Sequence, residues 1–209
     1  MPGLAESAKR IWRASGIAER LKTRRLDRLN RLVSGGLTRP ASRVVEVGCS
    51  SGEDYIRFAA SQGVAVTGVD IRDVTLDFPN VSFVKADASD LPFEHDEFDV
   101  ALSIGVFEHI QPIETLAEAV REISRVARSY VVVVPSISTR LEPHVGQFYY
   151  PIRSHRRKRV PWWGLNYFSD EAWLQFKGFE GAEIDRFDYI PGLVTNTVIW
   201  RFDPGASEV

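Results

Sequence analysis

Cysteine is nearly absent from this chain of 209 residues: Cys49 is the single example. One thiol closes no intramolecular disulfide and builds no cysteine-rich metal site, so a reducing, cytoplasmic setting and no metal centre are expected. Long apolar runs are missing as well. The longest purely aliphatic stretch is Val131–Val134, far short of the roughly 20 residues that a membrane span needs. The N-terminal stretch has no hydrophobic segment uninterrupted by Arg or Lys, and no secretory signal is expected. The chain has no internal repeat, and no linker in it is long enough to separate domains. With 44% hydrophobic and 26% charged residues, the chain is globular and intrinsic disorder is excluded. At about 150 residues per domain, its length suits one core with trimmings.

The net charge of −2 conceals a segregation. Residues 1–45 carry eleven Lys/Arg against three acids, a balance of +8, whereas 46–110 carry three against thirteen, a balance of −10. The remaining residues balance to zero. An acidic centre of this kind favours a cationic ligand, and the basic N-terminal segment an anionic partner.

Residues 4–34 show helical periodicity, with Gly16 as a break and Gly35-Gly36 as the stop. Beyond Pro40 the pattern becomes α/β. Short apolar strands are predicted at 43–47, 64–71, 81–86, 98–103 and 130–134, with helices at 53–62 and 112–128. Residues 136–168 are irregular and aromatic; Ser169 then caps a helix through Lys177. Two last strands, near 181–190 and 194–202, flank Pro191-Gly192 and are expected to pair antiparallel. Alternation at this spacing predicts a doubly wound, Rossmann-like α/β sheet of seven strands, mostly parallel with the last antiparallel.

The chemistry concentrates at predicted strand ends. In VVEVGCSSGEDYIRFA (44–59), a strand enters Gly48-x-Ser50-x-Gly52 and then a helix, where small residues admit close approach of a ligand to backbone N–H groups. Glu46 lies just before that turn, where a carboxylate opposes a pyrophosphate and suits a cation. Asp70 closes the second strand, eighteen residues after Gly52, a position from which doubly wound folds address ribose hydroxyls. Asp87 follows the third strand in KADASDLPF, and Ser103 ends the fourth in FDVALS. All four polar residues are thus expected on one sheet edge, where open α/β sheets bind ligands.

At these motifs the sequence resembles the class I S-adenosylmethionine-dependent methyltransferases, in particular the small-molecule branch with Glu-x-Gly-Cys-Gly-x-Gly after a strand. The likeness covers residues 43–135 and, loosely, Lys177-Gly178-Phe179. It implies S-adenosylmethionine as cofactor. Gly48, Ser50, Gly52 and Glu46 would lie beside the methionine moiety, Asp70 at the ribose, and Ile71 against the adenine. Asp87 and Ala88 would meet the adenine amino edge, and Ser103, with the backbone around Ile104, would lie near the methionine moiety and the methyl group. Serine stands at position 50 where the family has glycine, and it is expected to fit with a negative φ. On this resemblance residues 1–40 form a basic helical cap and 41–209 the methyltransferase domain, with an aromatic and basic insertion at 136–168.

Transfer from a sulfonium demands alignment first and a base only where the acceptor must shed a proton. His109, beside Glu108 beyond the fourth strand, is the candidate base, with a packing role as the alternative. His144, Tyr149 and Tyr150 in the insertion are candidate acceptor-binding residues; the aromatic cluster reads equally as a lid core. The expected activity is methylation of oxygen or nitrogen on a small molecule, anionic or glycosylated among the options. The alternatives are an RNA methyltransferase and a non-catalytic cofactor-binding module. Nucleic acid is the less favoured partner, because Ser103-Ile104-Gly105-Val106 replaces the Asn/Asp-Pro-Pro-aromatic run of base-amino methylating enzymes. The basic run 153–159 would permit peripheral contact with an anionic membrane. Nicotinamide chemistry is a poor fit, because Glu53 stands where a dinucleotide turn needs glycine and Glu46 opposes a pyrophosphate.

Overall fold

The computed structural model describes residues 16–35, 43–53, 55–142, 147–148 and 165–203. The elements in order are α1 (Ile17–Gly35), β1 (Val44–Val47), α2 (Tyr55–Ser61), β2 (Val66–Asp70), β3 (Val81–Lys85) and β4 (Phe98–Ile104). A 3-10 turn at Phe107–His109 leads to α3 (Ile113–Val126) and β5 (Ala127–Pro135). Two short strands, β6 (Leu141–Glu142) and β7 (Gln147–Phe148), pair with each other. The short helix α4 (Asp170–Trp173) precedes β8 (Glu183–Ile190) and β9 (Val194–Arg201). A predicted helix before Gly16 lies outside the described residues.

The main sheet has seven strands in the order β3-β2-β1-β4-β5-β9-β8. Strands β1 to β5 pair parallel, while β9 runs antiparallel to both β5 and β8. The central strands β1, β4 and β5 are buried along nearly their whole length because both faces are covered. Val45 and Val47 of β1 join Leu116, Val120 and Ile123 of α3 in one core layer. Val44 joins Leu26 and Leu29 of α1 and Tyr55, Ile56 and Ala59 of α2 in the other. Each such buried aliphatic side chain contributes roughly 1.5–3 kcal/mol. Strand order reverses between β1 and β4, and the cleft of an open α/β sheet forms outside the carboxyl ends at that point.

Two helix C-termini fall short of the sequence expectation by more than one residue. The helix predicted to reach Arg128 stops at Val126, and Ala127 is already extended with φ −141° and ψ 144°. Pairing decides this: Ala127 is fully buried opposite Phe98, and Ser129 Oγ accepts a hydrogen bond from the Asp203 N–H. The helix predicted over 169–177 lasts only to Trp173. Ser169 does cap it, accepting from the Ala172 N–H, but the chain then tightens into turns with Phe176 N–H bonded to the Trp173 carbonyl. The tightening packs Phe176 against both Trp173 and Phe168, with ring centroids 5.7 Å away in each case. Aromatic burial there outweighs continued helical hydrogen bonding.

Candidate functional site

The chain leaves β1 through a turn wrapped over the end of β2. The N–H groups of Gly48 and Cys49 both donate to the Val69 carbonyl, at 2.7 and 2.9 Å. Gly48 has φ +81°, and a Cβ there would lie 2.3 Å from Val106 Cγ2, so both backbone and space require glycine. Ser50 also adopts a left-handed conformation, φ +49°, contrary to the negative φ expected for it. The cause is the pull of Asp70, whose Oδ2 accepts the Ser50 N–H at 2.9 Å.

Asp70 is buried, and both of its carboxylate oxygens accept hydrogen bonds. Its Oδ1 accepts from Arg72 N and Nε, both at 3.0 Å, and its Oδ2 also accepts from Arg72 Nη2 at 3.2 Å. Burial alone raises its pKa, but these bonds and the Arg72 charge outweigh it and hold the carboxyl below the usual range. Glu46, 3% exposed, stands in β1 just before the turn. Burial, with Glu46 and Asp70 adding their charges, pushes the Cys49 thiol up to about 12. Cys49 therefore stays protonated at neutral pH and is no nucleophile. The same two influences, burial first and Glu46 second, raise Tyr55.

A cavity of about 710 Å³ opens at this edge. From the turn it is lined by Glu46, Gly48 and Ser50, and from the end of β2 by Asp70 and Ile71. Asp87 and Ala88 follow β3, and His109 stands on the 3-10 turn. Ile71 presents its apolar side chain openly, 63% exposed. Asp87 Oδ1 accepts from both N–H and Oγ of Ser89, at 2.9 and 2.8 Å, which fixes its carboxylate at the rim. His109 Nε2 lies 3.9 Å from Oε1 of Glu108, itself fully buried.

Two predicted residues stand elsewhere. Ser103 does not line the cavity: it is fully buried inside β4, which continues to Ile104, and its Oγ donates to the Val47 carbonyl at 3.0 Å. The strand is longer than predicted, so Ser103 braces β4 against β1 and Ile104, Gly105 and Val106 face the cavity instead. Gly52 is also outside the lining; a Cβ there would meet Leu76 and Phe78 at 2.8 and 2.9 Å, so it serves packing behind the turn. His144, Tyr149 and Tyr150 lie outside the described residues, as do 153–159.

Sequence reasoning missed Arg72, Gln111 and Thr115 in the lining. A signal existed for Arg72, one of three cations in the acidic segment and two residues after the strand-end carboxylate. Gln111 and Thr115 carry no such mark. Among the described residues no group of three or more His, Cys, Asp or Glu could hold a metal ion. No helix among them is long and apolar enough to cross a membrane.

The cavity's chemistry is legible from its walls. It offers carboxylates at Glu46 and Asp70, an apolar face at Ile71, and an imidazole at His109. This fits a ligand with a cationic end, vicinal hydroxyls and a flat ring, and it opposes a pyrophosphate.

Residues 45–134, which supply nearly all of this lining, match the family described as a methyltransferase domain. The chain is 30% identical over 137 residues to the 27-O-demethylrifamycin SV methyltransferase of Amycolatopsis mediterranei (strain S699), covering 58% of this chain and 49% of that protein. It is 29% identical over 114 residues to the O-methyltransferase resE of Aspergillus sclerotiorum, covering 49% and 42%. The chain thus spans just under half the length of the curated relatives it matches. Among solved structures, a SAM-dependent methyltransferase from Methanosarcina mazei superposes with a TM-score of 0.57 at 15% identity, covering 82% of this chain and 96% of that one. At that identity the superposition speaks for the fold.

Proposed function

We propose that this chain is a class I S-adenosylmethionine-dependent methyltransferase that methylates a hydroxyl of a small molecule. The observation carrying this is the union, in one cavity, of Glu46, the glycine turn, Asp70 and His109. The relatives named for methylation at oxygen support the choice of hydroxyl.

When bound, S-adenosylmethionine supplies a methyl group on a sulfonium, already activated for displacement. The chain's residues bind, orient and move a proton. Glu46 complements the positive charge, and Gly48 and Ser50 bring backbone N–H groups close. Asp70 is suited to vicinal hydroxyls, Ile71 to one face of the adenine, and Asp87 with Ala88 to its amino edge. Ser103 and Gly52 act behind the wall, by holding β4 and the turn. His109, whose Nε2 lies 3.9 Å from the Glu108 carboxylate, is the group suited to receive the acceptor's hydroxyl proton.

Titration calorimetry with S-adenosylhomocysteine tests the binding half. The wild type is expected to give a saturable isotherm, and Asp70→Ala to weaken it about tenfold or more while the fold is kept. No heat with the folded wild type overturns the reading; unchanged affinity in Asp70→Ala removes Asp70 from the site.

A further inference from the structure

The 3-10 turn that carries His109 is poorly equipped to hold its own shape. It spans three residues, so it satisfies few of its own carbonyls, and Pro112 immediately beyond Gln111 has no N–H to contribute. The missing donors come from a distant stretch of the chain. Asn166 donates its N–H to the Glu108 carbonyl at 2.7 Å, donates Nδ2 to the carbonyls of Phe107 and Ile110 at 3.1 and 2.9 Å, and accepts Gln111 Nε2 on Oδ1 at 2.6 Å. The residue is 7% exposed. Its contacts bracket position 109 from both sides and leave the His109 side chain directed to the cavity rim.

We propose that Asn166 is a positioning residue, clamping the Phe107–Gln111 turn so that His109 and Gln111 are held at the acceptor side of the cavity. Asparagine suits the task because its amide supplies donors to two carbonyls and an acceptor to a third group from one planar head. Aspartate has the same outline and would turn those donors into lone pairs against carbonyl oxygens. Asn166 closes the segment 136–168 predicted as an insertion, so the stretch of chain that returns from it also fixes the candidate base. The clamp is a property of the free protein. Its use in catalysis rests on the functional reading above.

The test is carbon–proton correlation NMR on protein labelled at histidine, with His109 assigned by His109→Gln. Asn166→Ala and Asn166→Asp are expected to move or broaden the His109 ring signal while leaving His95, on the remote 93–97 loop, in place. Asn166→Ser, which keeps one donor, is expected to give a smaller change and keeps the clamp testable if the other two do not fold. The affinity for S-adenosylhomocysteine, addressed by Glu46, Asp70 and Ile71, none of which Asn166 hydrogen-bonds, should stay within about twofold of wild type, but its effect on the His109 signal should be altered. A His109 signal unchanged in every folded variant overturns the clamp. Wild type that ignores S-adenosylhomocysteine overturns the functional reading alone, since the free-protein spectra still judge Asn166.

Discussion

At the scale of single residues, the site is built by forcing backbone into unusual shapes and filling carboxylates with donors. Ser50 sits at φ +49° because Asp70 holds its N–H. A left-handed non-glycine residue costs about 1–2 kcal/mol, of which glycine's greater chain entropy would return some. Ser50→Gly is therefore expected to gain about 0.5–1 kcal/mol and to raise Tm by about 2 °C, measured by calorimetric melting. Asp70 gives a pH signature. Its carboxyl is held low in the folded protein, so its bonds contribute stability above the unfolded pKa of about 3.9, and that contribution drains away as pH falls through the lower folded value. In urea unfolding, the gap between wild type and Asp70→Asn should be widest near neutrality and shrink below about pH 4. A gap independent of pH would show that the ion pair with Arg72 is irrelevant to folding. Glu46, Asp70 and Asp87 were legible in the sequence because a strand-end carboxylate is a rare and placed thing. Asn166 was not, since its partners are carbonyls that no side-chain pattern records.

At the scale of elements, the alternation of strands and helices was plain and their ends were not. Hydrophobic periodicity carried α3 correctly through Val126, yet nothing in Arg125–Arg128 marks where helix yields to strand. That boundary is set by the register with β4, a contact between distant segments. The same α3 is bound to the loop before β4 by Arg125, which donates to the carbonyls of Phe93 and Leu91, and by Glu122, which accepts the Leu91 N–H. At its other side α3 meets Gly178 so closely that an added Cβ would lie 2.8 Å from the Val120 carbonyl oxygen, at a φ of +112°. Gly178→Ala is expected to cost about 2 kcal/mol or more, because strain and overpacking fall on one atom. Denaturant unfolding reads that loss directly. A variant as stable as wild type would show that α3 can shift without penalty.

At the scale of the whole molecule, charge segregation survives folding and is partly spent within the chain. Arg28 of α1 pairs with Asp185 of β8 at 2.6 Å and stands over the Phe187 ring, and Arg25 stands over Tyr189. The described portion of the basic segment thus meets the far edge of the sheet with some of its cations engaged, which counts against a nucleic-acid grip made by this helix. The acidic cavity gives the complementary prediction. S-adenosylhomocysteine at about a hundred times its Kd should add about 2.7 kcal/mol and raise Tm by about 5–10 °C. NAD at the same concentration should leave the melting curve where it was; an equal rise with NAD would return the cavity to dinucleotides. The order β5-β9-β8 has a consequence for biosynthesis. Because β9 lies between β5 and β8, the outer edge of β5, whose Val131 to Val134 backbone pairs with 197–200, stays bare until those late residues leave the ribosome. A stalled or clipped nascent chain lacking them would display an open valine-rich margin, the kind of surface that recruits chaperones or other unfinished chains.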